Sequence, residues 1–275
     1  PVVARAVPPP VPTLSYSSLG AHARCGYRFY LERVLRLPAT ELPPAAHAAA
    51  TAGLDPRARG SIAHLVLEQL DLLAPVVPDV QALQAMGARF DADPSEAEAA
   101  EIAELLERFL AASPLLARLR AAPRVRLEAP FALPLPSPDA PLLNGVLDVL
   151  ADEASGSLVI DWKTDRLHGE EPAGVVARSY ATQQAVYALA VLASGAATVE
   201  VAYAFLERPE LVVSSRFTQT DLPVLWERVL ERARPVLMRS FPVSPEPYLG
   251  LCAGCPGRAG LCVHPTELTD RVLRD

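Results

Sequence analysis

Lysine is almost missing from this chain of 275 residues: among 25 Lys plus Arg residues, Lys163 is the only lysine. A sequence so biased to arginine that keeps one compact ammonium has a use for it, because a guanidinium differs in shape, reach and hydrogen bonding. Aromatic residues are also scarce, at 6%, but hydrophobic content of 51% still supports a substantial core in one large domain or two small ones. Long apolar runs are absent. None approaches the roughly 20 residues that span a bilayer, and the proline-rich start has none of the regions of a signal peptide, so the expectation is a cytoplasmic protein without membrane contact. A basic surplus is lacking too. A net charge of −7 excludes a general phosphate-coating surface, since such binding is dominated by cationic contacts. Only local clusters remain, at Arg24, Arg28, Arg33 and Arg36 and at Arg118, Arg120, Arg124 and Arg126; either could follow a phosphate backbone, and solvated helix faces are the plainer reading.

What is present centres on LLNGVLDVLADEASGSLVIDWKT, Leu142 to Thr164. Leu143–Ala151 and Leu158–Trp162 read as two strands, because both are apolar and β-branched while Asp152–Ser157 is turn material. Each strand carries one acid, Asp148 and Asp161, and a carboxylate among such residues is costly to bury unless a cation or donors meet it. Two of them on neighbouring strands suggest a metal. Residues two apart on a strand share a face, so Asp161 and Lys163 project together.

GVLDVL and VIDWKT resemble the two core motifs of the RecB-type branch of the PD-(D/E)XK nuclease superfamily. The resemblance implies that Asp148 and Asp161 bind Mg²⁺ or Mn²⁺, that the metal lowers the pKa of a bound water and neutralises phosphate charge, and that Lys163 positions or activates the attacking water. The string RGSIAHLVLE extends it, placing His64 as a third metal ligand. Read from the residues alone, Gly60 and Ser61 open an amphipathic helix, SIAHLVLEQLDLL, on which a histidine is more often packed or capping, with Glu68 on the same face. Glu128, in the expected strand Arg124–Leu135, stands where some members carry a further acid, and a sheet-edge carboxylate is the competing reading. On a helix expected over Val175–Ser194, Gln183 and Tyr187 share one face. A tyrosine there is usually core, but Gln-X-X-X-Tyr resembles a motif that contacts DNA near the scissile phosphate.

The resemblance covers nearly everything from Thr13 onward. It implies an α/β fold with a central mixed sheet flanked by helices, a restriction-endonuclease-like core. The organisation expected is an arm over 1–12 and one nuclease domain over 13–275: a helical part to 120, the core over 121–240, and a Cys-rich tail over 241–275 tied back to Cys25. Ser15–Ser18 would cap a helix running through HARCGYRFYLERVL, Thr40–Ala58 would be a loop, and Asp91–Arg120 a helical stretch. Strands are expected at Thr198–Leu206 and Leu211–Thr218, with a closing helix over Leu222–Arg239. The implied function is metal-dependent DNA exonuclease, as the nuclease domain or subunit of a RecB/AddB-type helicase-nuclease in double-strand-break repair. Its partners would be DNA ends and a helicase, since no GxxxxGK[ST] loop is present for an ATP-driven motor. The alternatives are a nuclease-like module without catalysis, and a restriction or CRISPR-type nuclease.

Four cysteines complete the reading: Cys25, far from the rest, then Cys252, Cys255 and Cys262 in C-x2-C-x6-C spacing. In a cytoplasmic protein this points to metal rather than disulfides, either structural zinc or a 4Fe-4S cluster, and spacing alone does not choose. One remote cysteine plus three near the end resembles the iron-sulfur staple of AddB-type and CRISPR-associated exonucleases, which implies the cluster, with zinc as the alternative. Closing so long a loop removes at most about 5 kcal/mol of unfolded-state entropy.

Overall fold

The apolar, β-branched runs of the chain's middle are strands of a mixed sheet, two of them buried along most of their length. The computed structural model describes residues 9–41, 53–136 and 140–273. The expected arm over 1–12 and the expected loop at Thr40–Ala58 fall largely outside them.

The strands are β1 (Thr13–Leu14), β2 (Arg124–Pro134), β3 (Leu142–Glu153), β4 (Gly156–Lys163), β5 (Thr198–Phe205) and β6 (Val212–Thr218). Their order is β1-β3-β4-β5-β6, with β2 also pairing β3. β3 and β4 are antiparallel, β4 and β5 parallel, β5 and β6 antiparallel. A parallel pair needs a crossover, and the β4-to-β5 connection supplies it. The β3–β4 turn is tight: Gly156 has φ +135°, and a Cβ there would lie 1.9 Å from Thr198 Oγ1, so glycine is required.

Contacts divide the chain into two compact units, one within Pro1–Thr51, Ala132–Gly145 and Trp226–Asp275, the other within Ala52–Phe131 and Val146–Leu225. In the second, helices α3 (Pro56–Gln69), α4 (Val80–Gly87), α5 (Glu96–Ala112) and α6 (Leu115–Ala121) build a core against the sheet with Val149, Leu158, Ile160 and Trp162. Trp162 meets Phe109 edge-on at 5.2 Å. Helix α7 (Ala181–Ala193) serves the other face, where it meets Asp161 and Lys163.

Three boundaries differ from the sequence reading. Helix α3 starts a turn before Gly60, because the Asp55 side chain accepts from Arg57 N–H and Pro56 takes the first helical position. The stretch over Asp91–Arg120 is two helices, since Ser113 precedes Pro114 and is held extended, with ψ 122°. The helix over Val175–Ser194 is also broken: Pro172–Val175 passes through a π-helical turn, Val176–Tyr180, before α7 begins. Helix α4 was not anticipated.

In the first unit, α1 (Tyr16–Arg24) ends at Cys25, whose backbone is extended, and α2 (Gly26–Phe29) restarts, followed by a π-helical turn to Val34. The break replaces the continuous helix expected there. Gly26 allows it: a Cβ would lie 2.8 Å from Pro242 Cδ. The tail is fastened to these helices by hydrogen bonds, Tyr27 O–H to the Leu261 carbonyl at 3.0 Å, Thr40 O–H to the Cys255 carbonyl at 2.9 Å, and Arg28 to the Leu251 carbonyl. Helix α8 (Leu222–Leu237) buries Leu225, Val229, Ala233 and Val236 along one stripe. Among the described residues no helix is long and apolar enough to cross a membrane.

Candidate active site

Val149 pairs with Ile160, so the same antiparallel register carried one step further sets Asp148 opposite Asp161. The ladder stops there. Instead, the main chain of Trp162 is engaged by side chains: its N–H donates to Asp148 Oδ2 at 2.9 Å, and its carbonyl accepts from His64 Nε2 at 2.9 Å. Helix α3 can bring His64 this close because Gly60 leaves room, a Cβ there lying 2.8 Å from Thr164 Oγ1. A carbonyl only accepts, so Nε2 carries the hydrogen and the other ring nitrogen, Nδ1, keeps its lone pair. That nitrogen lies 3.6 Å from Asp148 Oδ2. Burial holds the His64 pKa below its ordinary value, which favours the neutral ring.

Asp161 and Lys163 project from the opposite face to Trp162, as strand periodicity requires. Both are buried, at 3% and 8% exposure, and Lys163 Nζ is 2.6 Å from Asp161 Oδ2. Asp161 Oδ1 accepts from Gln183 Nε2 at 2.7 Å and from Tyr187 O–H at 3.1 Å, and Lys163 donates to Gln183 Oε1 at 3.1 Å. The ammonium also sits 3.8 Å above the Tyr180 ring, which stacks on Tyr203. An ion pair this deep survives only with such added partners, and the ring face contributes to holding the cation.

The local charge does not balance. With Asp148 and Asp161 ionised against one lysine, a net negative charge stays buried, and burial first, then Asp161, pushes the Asp148 pKa up to about 8. Glu128 is raised too, by burial and then by Glu68 and Asp161; its backbone is left-handed at φ +46° within β2. Glu68 and Glu128 are thus near the cluster without bonding it. Among the described residues no three His, Cys, Asp or Glu side chains close on a point that could hold a metal, since both Asp161 oxygens are turned to Lys163, Gln183 and Tyr187. An Asp148 carboxyl whose ionisation is penalised until a cation meets it, and the His64 lone pair facing it, nevertheless fit a divalent cation held by imidazole and carboxylate.

Of the residues singled out by sequence, His64, Asp148, Asp161, Lys163, Gln183 and Tyr187 come together. Gln183 and Tyr187 are each only 2% exposed and turn toward Asp161, not toward solvent. Tyr180 was missed; its signal was the spacing Tyr180, Gln183, Tyr187 at i, i+3 and i+7. Within the two arginine clusters, three side chains are already engaged by the protein: Arg118 by Glu153 and Glu200, Arg120 by the Leu72 carbonyl, and Arg28 by Glu32.

The cysteines are all free thiols. Cys25 Sγ caps α2 by accepting from Arg28 N–H, and Cys255 Sγ caps the turn at Pro256–Ala259 by accepting from Gly257 N–H, each at 3.4 Å. Burial raises the Cys252 and Cys255 pKa values, and neighbouring Cys25 adds to both. Sequence positions more than two hundred residues apart are thereby gathered into one neighbourhood.

A mixed sheet whose adjacent strands carry an acid and then Asp-X-Lys, with a helix-borne histidine beside them, defines a nuclease core of the restriction-endonuclease-like class. The chain belongs to the PD-(D/E)XK nuclease superfamily, whose family model matches residues 13–260. It is similar to the ATP-dependent helicase/nuclease subunits of Moorella thermoacetica, 36% identical over 131 residues, and of Pelotomaculum thermopropionicum, 34% identical over 180 residues. These matches cover 42% and 58% of this chain but only 9% and 14% of the relatives, so the chain spans a small part of their length. Among solved structures, a candidate exonuclease of Eubacterium rectale aligns over 96% of this chain and 90% of that one with a TM-score of 0.52 and 12% identity, a likeness of fold alone.

Proposed function

We propose that this chain hydrolyses DNA phosphodiesters with a divalent metal, as the exonuclease part of a helicase-nuclease that processes double-strand breaks. The observation that carries the reading is the buried Asp161–Lys163 pair, braced by Gln183 and Tyr187, beside an Asp148 that burial and Asp161 drive toward protonation. A carboxyl buried where it must keep its proton is costly for folding alone and is explained by a cation that takes the proton's place during work. Asp148, Asp161 and His64 would hold it. Such a cation neutralises charge on the scissile phosphate and makes water a better nucleophile.

The chain's own groups supply the rest. Lys163 is placed to orient the attacking water or to stabilise the charge that develops on the phosphate. Gln183 and Tyr187 fix the Asp161 carboxylate by its Oδ1 and, through Gln183 Oε1, hold the lysine. We assign them as positioning residues, in place of the DNA contact that resemblance alone implies. An imidazole in the ligand set favours Mn²⁺ over Mg²⁺, which prefers oxygen. Labelled DNA incubated with each metal tests this. Cleavage should be faster in Mn²⁺, absent in EDTA and absent from Lys163→Ala; cleavage undiminished by EDTA would overturn the metal reading.

The four thiols are best read as a structural metal site, a 4Fe-4S cluster, with zinc as the alternative. Support comes from the nearness of Cys25 and Cys262 to Cys252, and of Cys25 to Cys255, all unbridged, around the fastening of the tail, although among the described residues the thiols do not close on a point that could hold a metal. Anaerobically purified protein should be brown and hold about four irons per chain. Stoichiometric zinc without iron would replace the cluster and keep the structural role.

A further inference from the structure

Directly beyond His64 the molecule opens a cavity of about 900 Å³, lined by the first turns of α3 and by the residues that continue β4 past Lys163. Its lining includes Arg57, Arg59, Arg166, His64 and His168, against a single acid, Asp165. Among the described residues none of the three arginines has a carboxylate within ion-pair distance, whereas Arg28, Arg118, Arg178, Arg208, Arg216 and Arg258 all do. Arg59 is the telling case. Its Nε is buried without a hydrogen-bond partner, and its Nη1 reaches only the Thr164 carbonyl, at 3.4 Å. Burial and then the nearby Arg166 charge lower its pKa, and Glu101 and Glu207 oppose this only from beyond ion-pair distance, so two cations face one space with no carboxylate paired to either. In a chain of net charge −7 this is a local inversion of sign.

Guanidinium groups match phosphate oxygens with paired N–H donors. The cavity shares His64 with the cluster and its far wall, Thr164–Arg166, follows Lys163 in sequence, so an anion held here is a neighbour of anything held at Asp161 and Lys163. We infer that the cavity takes a phosphate of the DNA strand being cut, one that flanks the scissile linkage, and so sets which linkage enters the site. The inference rests on the nuclease reading above. The phosphate has two possible sources, an internal phosphodiester or a terminal 5′-phosphate.

The test is binding in EDTA, where nothing is cut, using a fluorescent single-stranded oligonucleotide with a 5′-phosphate and its 5′-hydroxyl twin. Arg57→Ala and Arg166→Ala change exposed side chains, so folding is preserved. Each should weaken binding about tenfold and lower the steepness of log K against log salt by about 0.7. A loss confined to the 5′-phosphorylated strand assigns a terminal phosphate, and an equal loss for both assigns an internal one. The pair Arg228→Ala/Arg232→Ala, which removes two exposed charges from α8, should change affinity less than twofold. Unchanged affinity and salt slope in Arg57→Ala/Arg166→Ala would overturn the cavity's role, and would leave the nuclease reading intact if that variant still cleaves. A parent that binds through these arginines but never cleaves would instead keep the cavity and remove the nuclease reading.

Discussion

The buried Asp161–Lys163 pair carries the proposed chemistry. Removing Lys163 leaves Asp161 buried without its cation, so Lys163→Ala should cost about 3 kcal/mol in metal-free protein as well as activity, read by chemical unfolding. Asp161→Asn preserves shape and separates the two effects: cleavage should vanish with a smaller loss of stability. Tyr180 offers a finer probe. Tyr180→Phe keeps the ring under the ammonium and should retain most activity, whereas Tyr180→Leu should lose about tenfold, because the ring face contributes to holding the cation. Equal losses in both variants would contradict the ring's role. The triad Asp148, Asp161 and Lys163 was legible because charges stand out inside continuous apolar, β-branched runs. Tyr180 was not, because nothing in its spacing to Gln183 separates a ring that faces an ammonium from an ordinary core aromatic.

At the level of elements, the end of the β3–β4 ladder makes the site, and its charge state follows from burial. An unfolded aspartate titrates near pH 4, while folded, metal-free Asp148 holds its proton to about pH 8. Between those values only the unfolded state gives up the proton, so metal-free stability should fall as pH rises through that window and level off above it. Mn²⁺ competes with that proton, so the melting temperature gained on adding it should grow from pH 6 to about pH 8. A gain independent of pH would place the cation elsewhere. Away from the site, Arg118 clamps Glu153 of β3 and Glu200 of β5, and its hydrogen bonds hold the Glu200 pKa down at about 2. That contribution is present above about pH 4.5 and is lost as pH falls toward 2. Arg118→Ala should cost about 1 to 2 kcal/mol at neutral pH and little near pH 2, by urea unfolding. Strands were readable from alternation and β-branching. Helix ends were not, because they turn on local particulars: the Asp55 cap, the Ser113–Pro114 pair, the approach of Pro242 to Gly26.

For the whole molecule, sequence pattern located individual strands and the cysteine set and the resemblance implied the mixed sheet, but the two units interleave along the chain and no composition shift marks their borders. The matches cover only a small part of each relative's length, so helicase partnership stands as a proposal. The pairing of Gln183 and Tyr187 with Asp161 joins residues 22 and 26 positions apart through a crossover. Only three-dimensional structure could show that those side chains brace the acid. The most direct test of the account is a time course of end-labelled linear DNA with Mn²⁺, comparing the parent with Asp161→Asn. Progressive shortening from an end by the parent, with none by Asp161→Asn at equal folded concentration, is the expected result. Equal shortening by both would contradict it.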